Sequence, residues 1–181
     1  MRVVICCVVF ASTLWFFTSA DGQIRRADVH QHSQSSAQLA VERSGQLSLV
    51  IRAPGANLVG FEHPPRNESQ RSTLQRARLH LEKADWLRLP DSAGCTSSVN
   101  LSLPGFDDAE NHGHGHDHAH QHAEFRIEVS VSCQPSEVPE WIELRLFDDW
   151  PDNKVIVVDA ISATGQWRER LTAEQPRLVL Q

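Results

Sequence analysis

The chain has 181 residues, with 17 Lys+Arg against 23 Asp+Glu and a formal net charge of −6 at neutral pH. That length is enough for one domain with a proper hydrophobic core. An acidic balance gives no electrostatic attraction for nucleic acid or an anionic membrane surface and favours cations, so no nucleic-acid partner is expected.

Residues 1–20 read as a secretory signal. Met1-Arg2 is followed by an uncharged run from Val3 to Phe17, and the small residues Thr18-Ser19-Ala20 precede polar Asp21. The apolar run is short for a bilayer span, so cleavage after Ala20 and export are expected, with no membrane insertion afterwards. Cys6 and Cys7 leave with the signal. Cys95 and Cys133 remain, an even pair in a compartment where disulfides persist, and therefore poor thiolate ligands for a metal. Residues 21–37, Ser- and Gln-rich and without periodicity, are expected to form a mobile leader, which carries His30 and His32. Residues 38–181 then form a single domain with a His-rich loop at 104–122.

Two segments of period two, "QLAVERS" and "QLSLVIRA", flank Ser44-Gly45 and predict a β-hairpin. "NLVGFEHPP" reads as a third short extended piece, ended by two prolines. Asn67 followed by Gln70 has the pattern of a helix start, and Leu74, Ala77, Leu81 and Ala84 recur at helical spacing, so Glu68 to Ala84 is predicted as an amphipathic helix. "CTSSVNLSL" and "AEFRIEVSVSC" alternate again. Further strands are expected at "WIELRLF", "KVIVVDAIS", "GQWRERL" and "PRLVL". The fold class is α+β, mainly antiparallel, with one main amphipathic helix. His30-Gln31-His32 and His120-Gln121-His122 each precede a two-strand unit, which suggests two pseudo-repeated lobes.

The alternation fixes one pairing more sharply than propensity does. Setting Val99 opposite Val129 also sets Leu101 opposite Ile127, Leu103 opposite Phe125 and Cys95 opposite Cys133, with every pair on the apolar face. Paired strands bring Cα atoms within disulfide reach, so Cys95 and Cys133 are expected to staple the base of a hairpin whose tip is the histidine loop.

In that loop, "HGHGHDHAHQH", six histidines stand at every second position: His112, His114, His116, His118, His120 and His122. Neutral imidazole is the commonest protein ligand for zinc, copper and nickel, and Gly113 and Gly115 let several rings converge on one ion. Such a tract offers many equivalent ligand sets, so it should bind Zn2+ weakly and exchange it fast, with Cu2+ or Ni2+ as alternatives. A solvated loop that only senses pH is the bland alternative. A secreted metal-dependent hydrolase is the rival function. The helical H-E-x-x-H pattern is absent, and H-x-H-x-D-H is missed because Gly113 and Gly115 stand where histidines are needed, so the spacing argues against an enzyme. His63, pinned before two prolines with Glu62 beside it, is either an edge histidine or a ligand; His80, between two leucines on the helix flank, reads as structural.

"ANLVGFEHPP", the pair "AGC" and "VSC", the acidic histidine tract running into "HAEF", and the close "EQPRLVL" together resemble the zinc-regulated periplasmic His-rich proteins (ZrgA-like) of Gram-negative bacteria, over nearly all of the mature chain. The resemblance implies a periplasmic zinc-binding protein that aids zinc uptake beside a zinc ABC importer and its solute-binding protein. It also implies an ordered metal site apart from the loop. Matched position by position, that site draws on His30 and His32, on His63 of G-F-E-H, and on His122 of H-A-E-F. The chain departs from the family pattern in one place: H-x-H-G directly before the first strand is replaced here by Ser33 and further polar residues.

Overall fold

The computed structural model describes residues 33–106, 122–133 and 138–180. The expected signal, most of the leader with His30 and His32, and the tract holding His112, His114, His116, His118 and His120 lie outside the described residues.

The first hairpin forms as the alternation requires. β1 (Gln34–Val41) and β2 (Gln46–Pro54) pair antiparallel, with Ala37 opposite Ile51 and Leu39 opposite Leu49. β1 begins at Gln34, earlier than the hydrophobic pattern indicates, because its first inward residue is the buried polar Ser35. β4 (Thr96–Ser102) and β5 (Glu124–Ser132) pair in the expected register, Val99 opposite Val129 and Leu101 opposite Ile127, and Cys95 is disulfide-bonded to Cys133.

β7 (Val155–Ile161) and β8 (Gln166–Leu171) complete a six-stranded sheet in the order β4-β5-β2-β1-β7-β8. The β1–β7 pair is parallel; the other neighbours are antiparallel. One row of this sheet runs Val99, Val129, Leu49, Leu39, Ala160, and the next runs Leu101, Ile127, Ile51, Ala37, Val158. Apolar side chains thus stay in line from strand to strand, each contributing about 1.5 to 3 kcal/mol when it is a fully buried Val, Leu or Ile. β1 and β5, the strands that follow the two H-Q-H tripeptides, lie in this one sheet with only β2 between them. The two units contribute to one hydrophobic cluster.

"NLVGFEHPP" is not extended. Gly55–Val59 forms the short helix α1, closed by Gly60 in the left-handed conformation (φ 81°), so Leu58 turns into the core and the chain reverses before Phe61. Helix α2 (Glu68–Glu82) starts as its sequence indicates: Asn67 Oδ1 accepts from the Gln70 amide at 2.9 Å, and Gln70 Oε1 accepts from the Arg66 amide at 2.8 Å. The first bond satisfies an orphan donor of the helix, as a cap does, and the second holds the residue before the cap. Ala77 and Leu81 are buried and Leu74 half-buried, while Ala84 falls beyond the helix at φ 59°. Buried Trp86 then folds back, its indole N–H donating to Leu81 O at 3.0 Å.

A second sheet, ordered β3-β6-β9, joins β3 (Leu87–Arg88), β6 (Trp141–Leu144) and β9 (Arg177–Val179). The end of "WIELRLF" turns into helix α3 (Leu146–Asp149), because Leu146 and Phe147 both enter the core, which consecutive strand residues cannot do. These elements and α2 form one hydrophobic cluster with the large sheet. Among the described residues no helix is long and apolar enough to cross a membrane.

Candidate metal site

Four segments meet at one end of the large sheet: the start of β1, the exit of β2 through α1 to His63, the exit of β4, and the start of β5. Close backbone packing holds them. The Gly55 amide donates to Ala123 O at 2.8 Å, and a Cβ on Gly55 would run into Phe61 O and stand 2.6 Å from the Phe106 ring. Gly105, at φ 81°, sits so close that a Cβ would be 2.8 Å from Ala123 Cα. Phe106 packs edge-on against Phe61 (5.8 Å between centroids) and Phe125 (5.1 Å), which roots the exit of β4 in the core.

On this base stand two histidines. His122 Nδ1 lies 2.8 Å from Glu62 Oε2, and the Ala123 amide donates to Glu62 O at 3.3 Å. The Glu62 side chain is 17% exposed and that of His122 50%, so the carboxylate forms the inner member of the pair. His63 Nδ1 lies 2.8 Å from Pro64 O, and its ring stacks at a tilt on Phe61 with centroids 5.3 Å apart. A carbonyl or a carboxylate can only accept, so in both rings Nδ1 carries the hydrogen. In a neutral imidazole that tautomer leaves the lone pair on Nε2, the arrangement found in metal-ligating histidines whose second nitrogen is held by an oxygen.

The start of β1 is fixed just as firmly. Ser33, the residue after His32, takes φ 67°; its amide donates to Asn57 Oδ1 at 3.1 Å, and its carbonyl accepts from the amides of Lys154 at 2.9 Å and Val155 at 3.1 Å. Asn57 Nδ2 and Ser35 Oγ both donate to Asn153 Oδ1, at 3.3 and 2.6 Å. Asn153 is fully buried, and its Nδ2 has no hydrogen-bond partner among the described residues. Pro54 pairs with Glu124, and the β1–β2 register carried two residues past Ser36–Arg52 sets Gln34 level with Pro54. β1 and β5, parallel to each other and two strand spacings or about 10 Å apart, therefore start at the same level. His32 and His122 each precede their strand by the same two residues.

A family model for ZrgA family zinc uptake proteins matches residues 29–180. The chain belongs to that family. No curated protein matches it. Membership in the ZrgA family points to a role in zinc uptake, with zinc and metal homeostasis as its setting.

Of the residues expected to form the ordered site of this ZrgA-family chain, the structure brings His63 and His122 to one end of the sheet, each with a fixed ring. Among the described residues no three His, Cys, Asp or Glu side chains are grouped so as to hold a metal ion. The expected further ligands, His30 and His32, lie outside the described residues, as do the five loop histidines. Cys95 and Cys133 are bonded to each other and are not ligands. His80 is tied into the scaffold: its Nε2 lies 3.1 Å from Asp149 Oδ2, and its ring meets Trp150 edge-on at 5.1 Å.

Sequence reasoning missed Gly55, Gly105 and Asn57 as determinants of this end. "GFEH" and "HAEF" held the signal for the Glu62–His122 contact, but nothing local in either segment says that they meet. The H-x-H-G departure resolves in the backbone. β1 begins directly after Ser33, and Ser33 adopts the left-handed conformation that favours glycine.

Proposed function

We propose that this ZrgA-family chain is a periplasmic zinc-binding protein that captures zinc and delivers it to a zinc ABC importer through the importer's solute-binding protein. The observation that carries the reading is the contact of Nδ1 with an oxygen that His63 and His122 share, which in a neutral ring puts the lone pair on Nε2, the nitrogen that would meet a metal. His30 and His32 would complete the coordination. His32 is one peptide from Ser33, which three hydrogen bonds anchor at the same end of the sheet.

The histidine tract from His112 to His120 would act as the capture array. Its many equivalent ligand sets bind and exchange metal readily, and ligand exchange would pass zinc to the ordered site. Copper and nickel are accepted by the same nitrogens, so preference for zinc would come from geometry and supply. Protons compete for those nitrogens, so loading falls as the medium acidifies. In this reading the protein is a carrier and not an enzyme.

The test is calorimetric titration of the exported, disulfide-intact protein with zinc, copper and nickel, on the wild type and on a form with His112, His114, His116, His118 and His120 changed to Asn. One tight zinc site that survives the changes, with loss of the weaker ones, is the expected result. Loss of all zinc binding would overturn the ordered site. Ester or phosphoester turnover above that of free zinc would overturn the carrier reading in favour of a hydrolase.

A further inference from the structure

We infer that Glu62 is a positioning residue that selects which nitrogen of His122 faces the cation and strengthens it as a ligand. The inference rests on the zinc-binding reading above and assigns a role to a residue outside the expected ligand set.

Glu62 grips the His122 segment at two points. Its carboxylate accepts from His122 Nδ1 at 2.8 Å, and its carbonyl accepts from the Ala123 amide at 3.3 Å. The carboxylate is largely buried beneath an imidazole that is half exposed, so the ring stands outward on an inner support. Among the described residues no lysine or arginine pairs with Glu62, and the ion pair that its carboxylate makes there is with His122. An isolated neutral imidazole favours the hydrogen on Nε2, which would block that nitrogen as a ligand. A carboxylate against Nδ1 reverses the preference and pushes electron density toward Nε2.

His63 has the same tautomer from a weaker device, the neutral carbonyl of Pro64. The tripeptide Phe61-Glu62-His63 therefore has three tasks. Phe61 roots the segment in the core, His63 supplies one ligand, and Glu62 orients another that arrives from β5. A negative acceptor behind one of the nitrogens also suits a divalent cation, because it offsets part of the ion's charge without occupying its coordination sphere.

The experiment uses the full chain carrying His112→Asn, His114→Asn, His116→Asn, His118→Asn and His120→Asn, so that only the ordered site is read. Zinc affinity is measured by competition with a chelator for this background and for Glu62→Ala, Glu62→Gln and His122→Ala added to it. The imidazole nitrogens of His122 are followed by 15N NMR in the zinc-free protein. Glu62→Ala should lower zinc affinity about 10- to 100-fold, in line with losses at other outer-shell partners, and move the His122 hydrogen to Nε2. Glu62→Gln keeps an acceptor oxygen without the charge, so it should keep the tautomer and lose less affinity. A purely structural role would leave the tautomer unmoved and lower the zinc-free melting temperature instead.

If His122→Ala loses zinc and Glu62→Ala does not, the positioning role falls and the site stands. If His122→Ala binds as the background does, the ordered-site reading falls and the role of Glu62 with it. Should Glu62→Ala fail to fold, Glu62→Gln decides: unchanged affinity together with an Nε2–H tautomer would overturn the inference.

Discussion

The Gly55 amide donates to the Ala123 carbonyl at 2.8 Å, an approach that only a residue without Cβ allows. Ala123 follows His122, so this contact fixes the height at which that histidine leaves the sheet. Gly55→Ala would force the new methyl into Phe61 O, the Phe106 ring and Ala123 O. Two of these three atoms are backbone and cannot swing aside. The expected cost is about 1 to 3 kcal/mol of overpacking, read by urea denaturation. In protein that still folds, zinc affinity should fall as well, because relief of the clash moves the Glu62–His122 pair.

Ser33→Gly should act in the opposite direction. A non-glycine residue at φ 67° carries roughly 1 to 2 kcal/mol of strain. Glycine removes that strain and returns part of it as entropy lost on folding, for a net gain of up to about 1 kcal/mol. Among the described residues the hydrogen bonds of Ser33 are made by its backbone, so the substitution keeps them. Ala84→Gly, at φ 59°, should gain a similar amount. Chemical denaturation of both single variants and the double variant checks this, and the two sites should add.

Hairpin registers were legible in this sequence wherever alternation was clean. The β4–β5 pairing and the Cys95–Cys133 bond agree with the alternation, which excludes a slip of one residue because that would turn the apolar face of one strand to water. The start of β1 was hidden because Ser35 points inward and is satisfied by Asn153, a partner far along the chain. α1 was misread because Leu58 and Val59 before a glycine look like a strand end, and a five-residue helix has no periodicity to display. The site itself was half legible. His63 and His122 stand out by composition, but the carboxylate that orients His122 sits in a segment brought near only by the β2–β5 pairing.

Glu143 gives the small sheet a dependence on acid. Hydrogen bonding from Arg177, with a further contribution from Arg145, holds the Glu143 carboxyl below its usual value of 4.5 against an opposing effect of burial. A carboxyl depressed on folding contributes stability above its unfolded value and loses it as pH falls through the folded one. Glu143→Gln should therefore destabilise the protein at neutral pH by on the order of 1 kcal/mol. The difference from wild type should shrink from about pH 4.5 downward. Melting curves of the two proteins between pH 3 and pH 7 should draw together toward the acid end.

Cys95 and Cys133 are separated by 38 positions, and the bond between them closes the loop that contains the histidine tract. On the chain-entropy account, closing a loop of that length contributes roughly 3 to 4 kcal/mol, all of it by restricting the unfolded chain. The folded register does not depend on the bond, since Thr96 to Ser102 pair with β5 through their own backbone ladder, and β5 pairs in turn along β2 from Gln46 to Pro54. The bond lies at the far end of β5 from His122, beyond the whole length of the strand. Cys95→Ser/Cys133→Ser should thus lower stability by that amount and leave the zinc affinity of the folded protein unchanged. Parallel denaturation and zinc competition on the double variant separate the two effects: a loss of affinity in fully folded material would show that the bond also shapes the metal end of the sheet.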